Sequence, residues 1–118
     1  MSSKFRLTAR LRSFKYAFAG LWTLLKTQHN AWIHAVATAL VIAAGICARL
    51  TPSKWCAIIF AIAIVWIAEA LNTAFEFLAD AVHPQQHPLI KKAKDVAAAA
   101  VLIAAFAAVI VGAIVFLK

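Results

Sequence analysis

The sequence predicts an all-α integral membrane protein: an N-terminal amphipathic surface helix and three transmembrane helices, forming a single domain over residues 1–118. Three observations carry that reading. Hydrophobic residues make up 65% of the chain and charged residues only 14%, against about 25% charged in an ordinary soluble domain. A fold of this size buries too little of its chain to hide so much apolar surface from water. The apolar residues also fall into three long runs, and the basic residues gather unevenly between them.

Residues 4–26 form the first unit. Leu7, Leu11, Phe14, Phe18, Leu21 and Leu25 recur at alternating spacings of four and three, the pattern of one helix face, while Arg6, Arg10, Lys15 and Lys26 decorate the other faces. A basic helix carrying Phe and Trp suits the membrane surface, among anionic headgroups; packing on another subunit is the alternative.

Residues 31–50 form the first span, long enough for a hydrocarbon core of about 30 Å at about 1.5 Å per residue. Thr51, Pro52 and Ser53 make a turn, and Trp55 stands where an interfacial aromatic belongs. The second span covers residues 55–80. His83, Pro84, His87 and Pro88 stop it. The third covers residues 90–117, and its alanines at 97–100 permit close helix packing.

A net charge of +8 could indicate nucleic acid, but the placement of the cations speaks for topology instead. Nine of the 12 basic residues lie before the first span or in the second loop, and three lie in the first loop or at Lys118. The positive-inside rule puts the N-terminus and second loop in the cytosol, and the first loop and C-terminus outside. No nucleic-acid partner is expected. No cleavable signal peptide is expected either, since no short apolar core with a small-residue cleavage site follows the basic start. Cys47 and Cys56 read as small, buried apolar residues rather than as a disulfide or a metal pair.

All 4 acidic residues, Glu69, Glu76, Asp80 and Asp95, lie in or beside membrane helices. At about 100° per residue, Glu69, Asn72, Glu76 and Asp80 point to roughly 0°, −60°, −20° and +20°, one polar stripe on an apolar helix. Ionisable residues in a span are costly and mark function by default. Three carboxylates on one stripe repel one another and call for a cation among them. Mg²⁺, which combines one or two carboxylates with nucleotide phosphates, would serve, as would lysines such as Lys94, beside Asp95. Salt bridges between protomers are the structural alternative, but apolar packing would join helices at less expense.

The string EALNTAFEFLAD at residues 69–80 resembles the signature of the prokaryotic diacylglycerol kinase and undecaprenol kinase family. The likeness extends to Lys94 and Asp95, to residues 16–20, and to Asn30, Ile33 and His34. The resemblance implies a homotrimeric kinase of the bacterial plasma (inner) membrane, using ATP and Mg²⁺ to phosphorylate a membrane lipid alcohol, with active sites shared between protomers. It makes Glu69 the general base and Asn72 its neighbour at the reacting hydroxyl. Glu76 becomes a metal ligand. Tyr16, Asp80, Lys94 and Asp95 fall to ATP, with the loop around Gln85, Gln86 and His87, and Asn30, His34 and Glu69 to the lipid. Where the family usually has a second metal-binding glutamate this chain has Gln28, and Trp32 stands where an arginine is common.

The chemistry agrees with the residues. An alcohol needs a positioned base, and a carboxylate at an apolar boundary is a stronger base than one in water. Phosphoryl transfer otherwise needs in-line positioning and charge neutralisation. A non-catalytic relative or a small proton or cation transporter is the competing class. A transporter needs polar residues through the full membrane depth, and residues 56–68 have no charged side chain. His83 and His87 have a metal-like spacing, but Pro84 between them argues for a plain polar loop. The topology can be read directly: in a variant lacking Cys47 and Cys56, Gln85→Cys should resist an impermeant maleimide added outside intact cells. Labelling from outside would reverse the orientation.

Overall fold

The computed structural model describes residues 6–118, so the start of the surface helix expected at residues 4 and 5 lies outside the described residues. Four α-helices follow in order: α1 (Leu7–Thr27), α2 (His29–Ala48), α3 (Pro52–Val82) and α4 (Pro88–Leu117). There is no strand among the described residues. Helices α2, α3 and α4 are each long and apolar enough to cross a membrane.

Gln28 alone separates α1 from α2, with extended backbone at φ −117° and ψ 118°. The polar residues His29 and Asn30 therefore belong to α2, which starts two residues before the apolar run does. A helix need not begin where the hydrocarbon begins. Trp32 ties the corner, its Nε1–H donating to the Leu25 carbonyl at 2.7 Å.

At the other end of α2, Arg49 takes the left-handed conformation (φ 54°), and the N–H groups of Arg49 and Leu50 reach the carbonyls of Ile46 and Gly45. That closure satisfies two of the carbonyls a helix end leaves open. Thr51 caps α3 by accepting from the Lys54 N–H at 3.4 Å, with Pro52 at the first position, where its missing donor costs nothing. His87 does the same for α4, its Nδ1 accepting from the Leu89 N–H at 3.1 Å ahead of Pro88.

Helix α3 has 31 residues, about 46 Å of helix at 1.5 Å per residue. That exceeds a hydrocarbon core of about 30 Å, so one end of α3 must stand beyond it. The polar stripe occupies the end next to the 83–87 loop. Helices α3 and α4 make the most extensive contact in the fold, while α2 crosses α3 more sparingly. Few side chains are fully covered: Leu24, Ala31, Ile58, Ala61, Val65, Ala79, Ala104 and Val115 make up the buried apolar set.

One expectation needs adjustment, and two others gain a packing detail. Trp55, expected as an interfacial aromatic, has its ring against Gly45 of α2 so closely that a Cβ there would come within 2.7 Å of Cη2. Cys47 and Cys56 are free thiols, as expected, but sit on exposed faces rather than buried ones. On α1 the residue that the fold buries is Leu24, whereas the stripe residues Leu7, Leu11, Phe14, Phe18 and Leu21 remain uncovered. Leu24 is turned toward α2 and α3, and the stripe is left to face lipid or another subunit.

Two of the helical glycines, Gly45 and Gly112, make opposite predictions. Gly45→Val forces the Trp55 ring away and should destabilise the fold by about 1–3 kcal/mol. Gly112 has nothing within 4 Å of an added Cβ, so Gly112→Ala should gain a fraction of the roughly 0.5–1 kcal/mol of helix propensity. Thermal unfolding in detergent should therefore lower Tm for the first and not for the second.

Candidate active site

The polar stripe on α3 is a gradient from buried to exposed. Glu69 is 1% exposed and Asn72 9%; Glu76 is half-buried and Asp80 exposed. Rotation by 3.6 residues per turn puts all four on one side. Depth along the helix, and the neighbours at each depth, then separate their surroundings.

At the buried end, Glu69 faces His34 of α2, with Oε2 and Nε2 3.8 Å apart. Neither atom has a hydrogen-bond partner, although both are shut off from solvent. One turn further, Asn72 donates through Nδ2 to Glu76 Oε1 at 3.1 Å. Its Oδ1 is buried and unpartnered, as is the hydroxyl of Thr73. Buried polar atoms without partners are unusual, because each costs about 1–3 kcal/mol.

At the loop end two cation–carboxylate pairs form. Lys94 Nζ donates to Asp80 Oδ1 at 2.5 Å and Lys91 Nζ to Asp95 Oδ2 at 2.7 Å. Lys94 and Asp95 are neighbours in sequence but diverge by about 100° on the helix. Lys94 thus turns to α3, and Asp95 takes the lysine one turn back. The sequence expectation placed Lys94 and Asp95 together and did not include Lys91.

Beside these pairs lies an open cavity of about 490 Å³ bounded by the 83–87 loop and the start of α4, with Gln85, His87, Lys91 and Lys94 in its wall. Three residues expected to bind nucleotide, Gln85, His87 and Lys94, are therefore brought together. Tyr16 is exposed on α1 and does not line this cavity. His83 and His87 stack edge-on with centroids 5.3 Å apart. The Nδ1 of His83 is engaged by the Gln85 carbonyl at 2.7 Å and that of His87 by the α4 cap, which is the polar-loop role expected of them.

Among the described residues no group of three or more His, Cys, Asp or Glu is arranged to hold a metal. Asn72 meets Glu76 through Nδ2, which leaves the Glu76 carboxylate and the unpartnered Asn72 Oδ1 as the hard oxygen ligands on neighbouring turns. They fit Mg²⁺, which completes its shell with phosphate oxygens and water. Gln28 is half-buried at the α1–α2 corner, where its Nε2 donates to Thr27 Oγ1 at 3.3 Å. Asn30 is exposed at the start of α2.

Two features escaped the sequence reading. The sequence marks His34 as a polar residue near a span entrance with a lipid role, whereas its place opposite Glu69 depends on how α2 crosses α3. Thr73 stands in the recognised motif but off the acidic stripe, in a groove between α1 and α3 beside Ala17, Gly20 and Phe77.

A family model described as prokaryotic diacylglycerol kinase matches residues 15–116. The chain is 37% identical over 106 residues to an undecaprenol kinase of Bacillus subtilis (strain 168), covering 90% of this chain and 86% of that protein. It is 44% identical over 103 residues to a diacylglycerol kinase of Synechocystis sp. (strain ATCC 27184 / PCC 6803 / Kazusa), covering 86% of this chain and 59% of that longer protein. Together with three membrane-crossing helices around a buried carboxylate, these findings define a membrane-embedded lipid kinase. The chain belongs to the prokaryotic diacylglycerol kinase family.

Proposed function

We propose that this lipid kinase transfers the γ-phosphoryl group of ATP, with Mg²⁺, to the hydroxyl of a membrane lipid alcohol at the cytosolic face of a bacterial plasma membrane. The lipid is diacylglycerol or undecaprenol, the substrates named by its relatives. The observation that carries the reading is Glu69: a carboxylate 1% exposed, in a membrane-crossing helix, whose Oε2 has no hydrogen-bond partner. Structural economy does not account for it, since apolar side chains of similar size pack a helix interface as well or better.

In this mechanism Glu69 accepts the proton of the lipid hydroxyl as the oxygen attacks phosphorus, and Asn72 orients the groups around it. Lys94 and Lys91 offer cations to the nucleotide phosphates from the wall of the loop cavity, with Gln85 and His87 beside them. Asp80 and Asp95 hold the two ammonium groups in place until phosphate oxygens replace them. Exchange is easy because pairs this exposed contribute about 0–1 kcal/mol. Tyr16, on the surface helix, closes over the nucleotide, and Asn30 meets the lipid, with His34 beside the base. Glu76 and Asn72, with Gln28 in place of a carboxylate, would hold Mg²⁺. Bound there, it would supply neutralisation of the charge on the phosphoryl group.

A homotrimer suits the uncovered surface. The groove between α3 and α4 that contains Asn72 is otherwise lined by apolar residues such as Ile67, Leu71, Ala100 and Ile103 and lies open in one chain. A second copy would close it and bring a neighbour's residues to the site.

Three measurements test the chemistry. Purified protein with radiolabelled ATP and a panel of lipid alcohols should yield lipid phosphate in proportion to ATP consumed. Glu69→Gln, which keeps shape and removes the base, should lower turnover by about 10²- to 10⁴-fold with unchanged thermal stability; near-normal turnover removes Glu69 from the mechanism. Gln28→Glu should lower the Mg²⁺ concentration for half-maximal activity and Glu76→Gln should raise it, with non-additive effects in the double variant, as expected of residues sharing one ion. An unchanged Mg²⁺ dependence in Gln28→Glu makes Gln28 a bystander.

A further inference from the structure

The gap between His34 and Glu69 is bounded with unusual care. The His34 side chain is 16% exposed and that of Glu69 1%. The imidazole is held edge-on against the Trp66 indole, with centroids 6.2 Å apart at 65°. Trp66 Nε1–H donates to Thr38 Oγ1 at 2.9 Å, and the Thr38 hydroxyl donates to the His34 carbonyl at 2.6 Å. The chain of contacts thus runs from the His34 ring to α3 and back to the His34 backbone. Trp66 and Glu69 lie three residues apart on α3, so the helix that clamps the ring also presents the carboxylate.

Within this clamp, Nε2 can carry a proton and Oε2 can accept one, and neither has another partner. Their separation of 3.8 Å is about 1 Å longer than a charge-assisted hydrogen bond. Such bonds are often long before substrate arrives and tighten in the reacting complex.

We propose that His34 is a positioning residue for Glu69, its Nε2–H holding Oε2 so that the other carboxylate oxygen is aimed at the lipid hydroxyl. The proposal rests on the reading of Glu69 as the base and adds a device that fixes its direction. In the step itself, the hydroxyl proton passes to the free oxygen of Glu69 and the lipid oxygen bonds to the γ-phosphorus of the nucleoside triphosphate. The bond from that phosphorus to the β–γ bridging oxygen breaks, and its electron pair leaves on the nucleoside diphosphate. His34 keeps its own proton throughout. It differs from a lipid-binding residue in acting on orientation of the base rather than on lipid affinity.

The test compares His34→Leu, which keeps bulk and removes the donor, with His34→Gln, whose amide N–H reaches close to the position of Nε2. His34→Leu should lower kcat by about 10²-fold, the scale of a misplacement of about 1 Å, with KM for lipid and nucleotide unchanged. His34→Gln should recover most of that loss. In parallel, ¹⁵N NMR of labelled histidine in detergent should show a protonated Nε2 in the wild type whose resonance moves in Glu69→Gln. Unchanged kcat in His34→Leu, a His34→Gln variant as slow as His34→Leu, or a raised lipid KM at normal kcat would each overturn the proposal. So would an Nε2 resonance indifferent to Glu69→Gln, a reading that needs no turnover. Wild-type protein that phosphorylates no lipid alcohol would instead sink the assignment of Glu69 as base, leaving the His34–Glu69 contact to the NMR result.

Discussion

The rest of the structure is arranged around the burial of one carboxylate in a helix that otherwise suits lipid. Insertion scales put an acidic residue at the centre of a span at about 2.5–3.5 kcal/mol. Glu69 lessens that expense by standing just past the middle of a helix much longer than a hydrocarbon core, on the side of its polar end. Successive turns carry Asn72, Glu76 and Asp80 outward along the same side, so that polarity rises steadily toward the loop. The crossing of α2 supplies a side chain that can answer the carboxylate at its own depth, His34. Trp66 and Thr38 make that crossing specific with a hydrogen bond where simple apolar contact would allow the helices to slide.

The fold could be read in one dimension because a bilayer punishes every departure from a long apolar run. Spans, surface helix and loop residues each leave a local mark: Pro52 and Pro88 at helix starts, alternating Leu and Phe on α1, and Lys and Arg in the gaps. The acidic stripe was equally legible, since only the pitch of α3 is needed to align it. What the sequence withheld was the packing of one helix on another. Gly45 against Trp55, His34 against Glu69 and Lys94 against Asp80 are all contacts between elements, set by crossing angle and register. The Lys94 pairing had a partial signal, because adjacent residues on a helix cannot share a direction and Asp95 has Lys91 four residues back. No comparable signal exists for His34, whose partner lies 35 residues on and on another helix.

The two ends of the stripe differ in what holds them. Around Glu69 water is excluded and an electrostatic contact counts for more. At the loop the ion pairs are exposed, with Lys91 and Asp95 at 77% and 63%, and salt and competing anions weaken them readily. Such a division keeps the buried groups in fixed positions and leaves the outer charges free to change partners. The net charge of +8 biases that exchange toward phosphate-bearing molecules and anionic headgroups.

The corner at Gln28 has a mechanical side. Only one residue departs from helical geometry between α1 and α2, and the Trp32 indole bolts the two together at Leu25. His34 comes two residues after that bolt, half a turn along a stiff rod. A tilt of α1 would carry the first turns of α2 with it, because the Trp32 bond leaves the corner little slack. The far end of α2 is packed where Gly45 meets Trp55, so the greatest travel of such a tilt falls at the end that carries His34. Helix α1 is in that sense a lever whose fulcrum is the other end of α2.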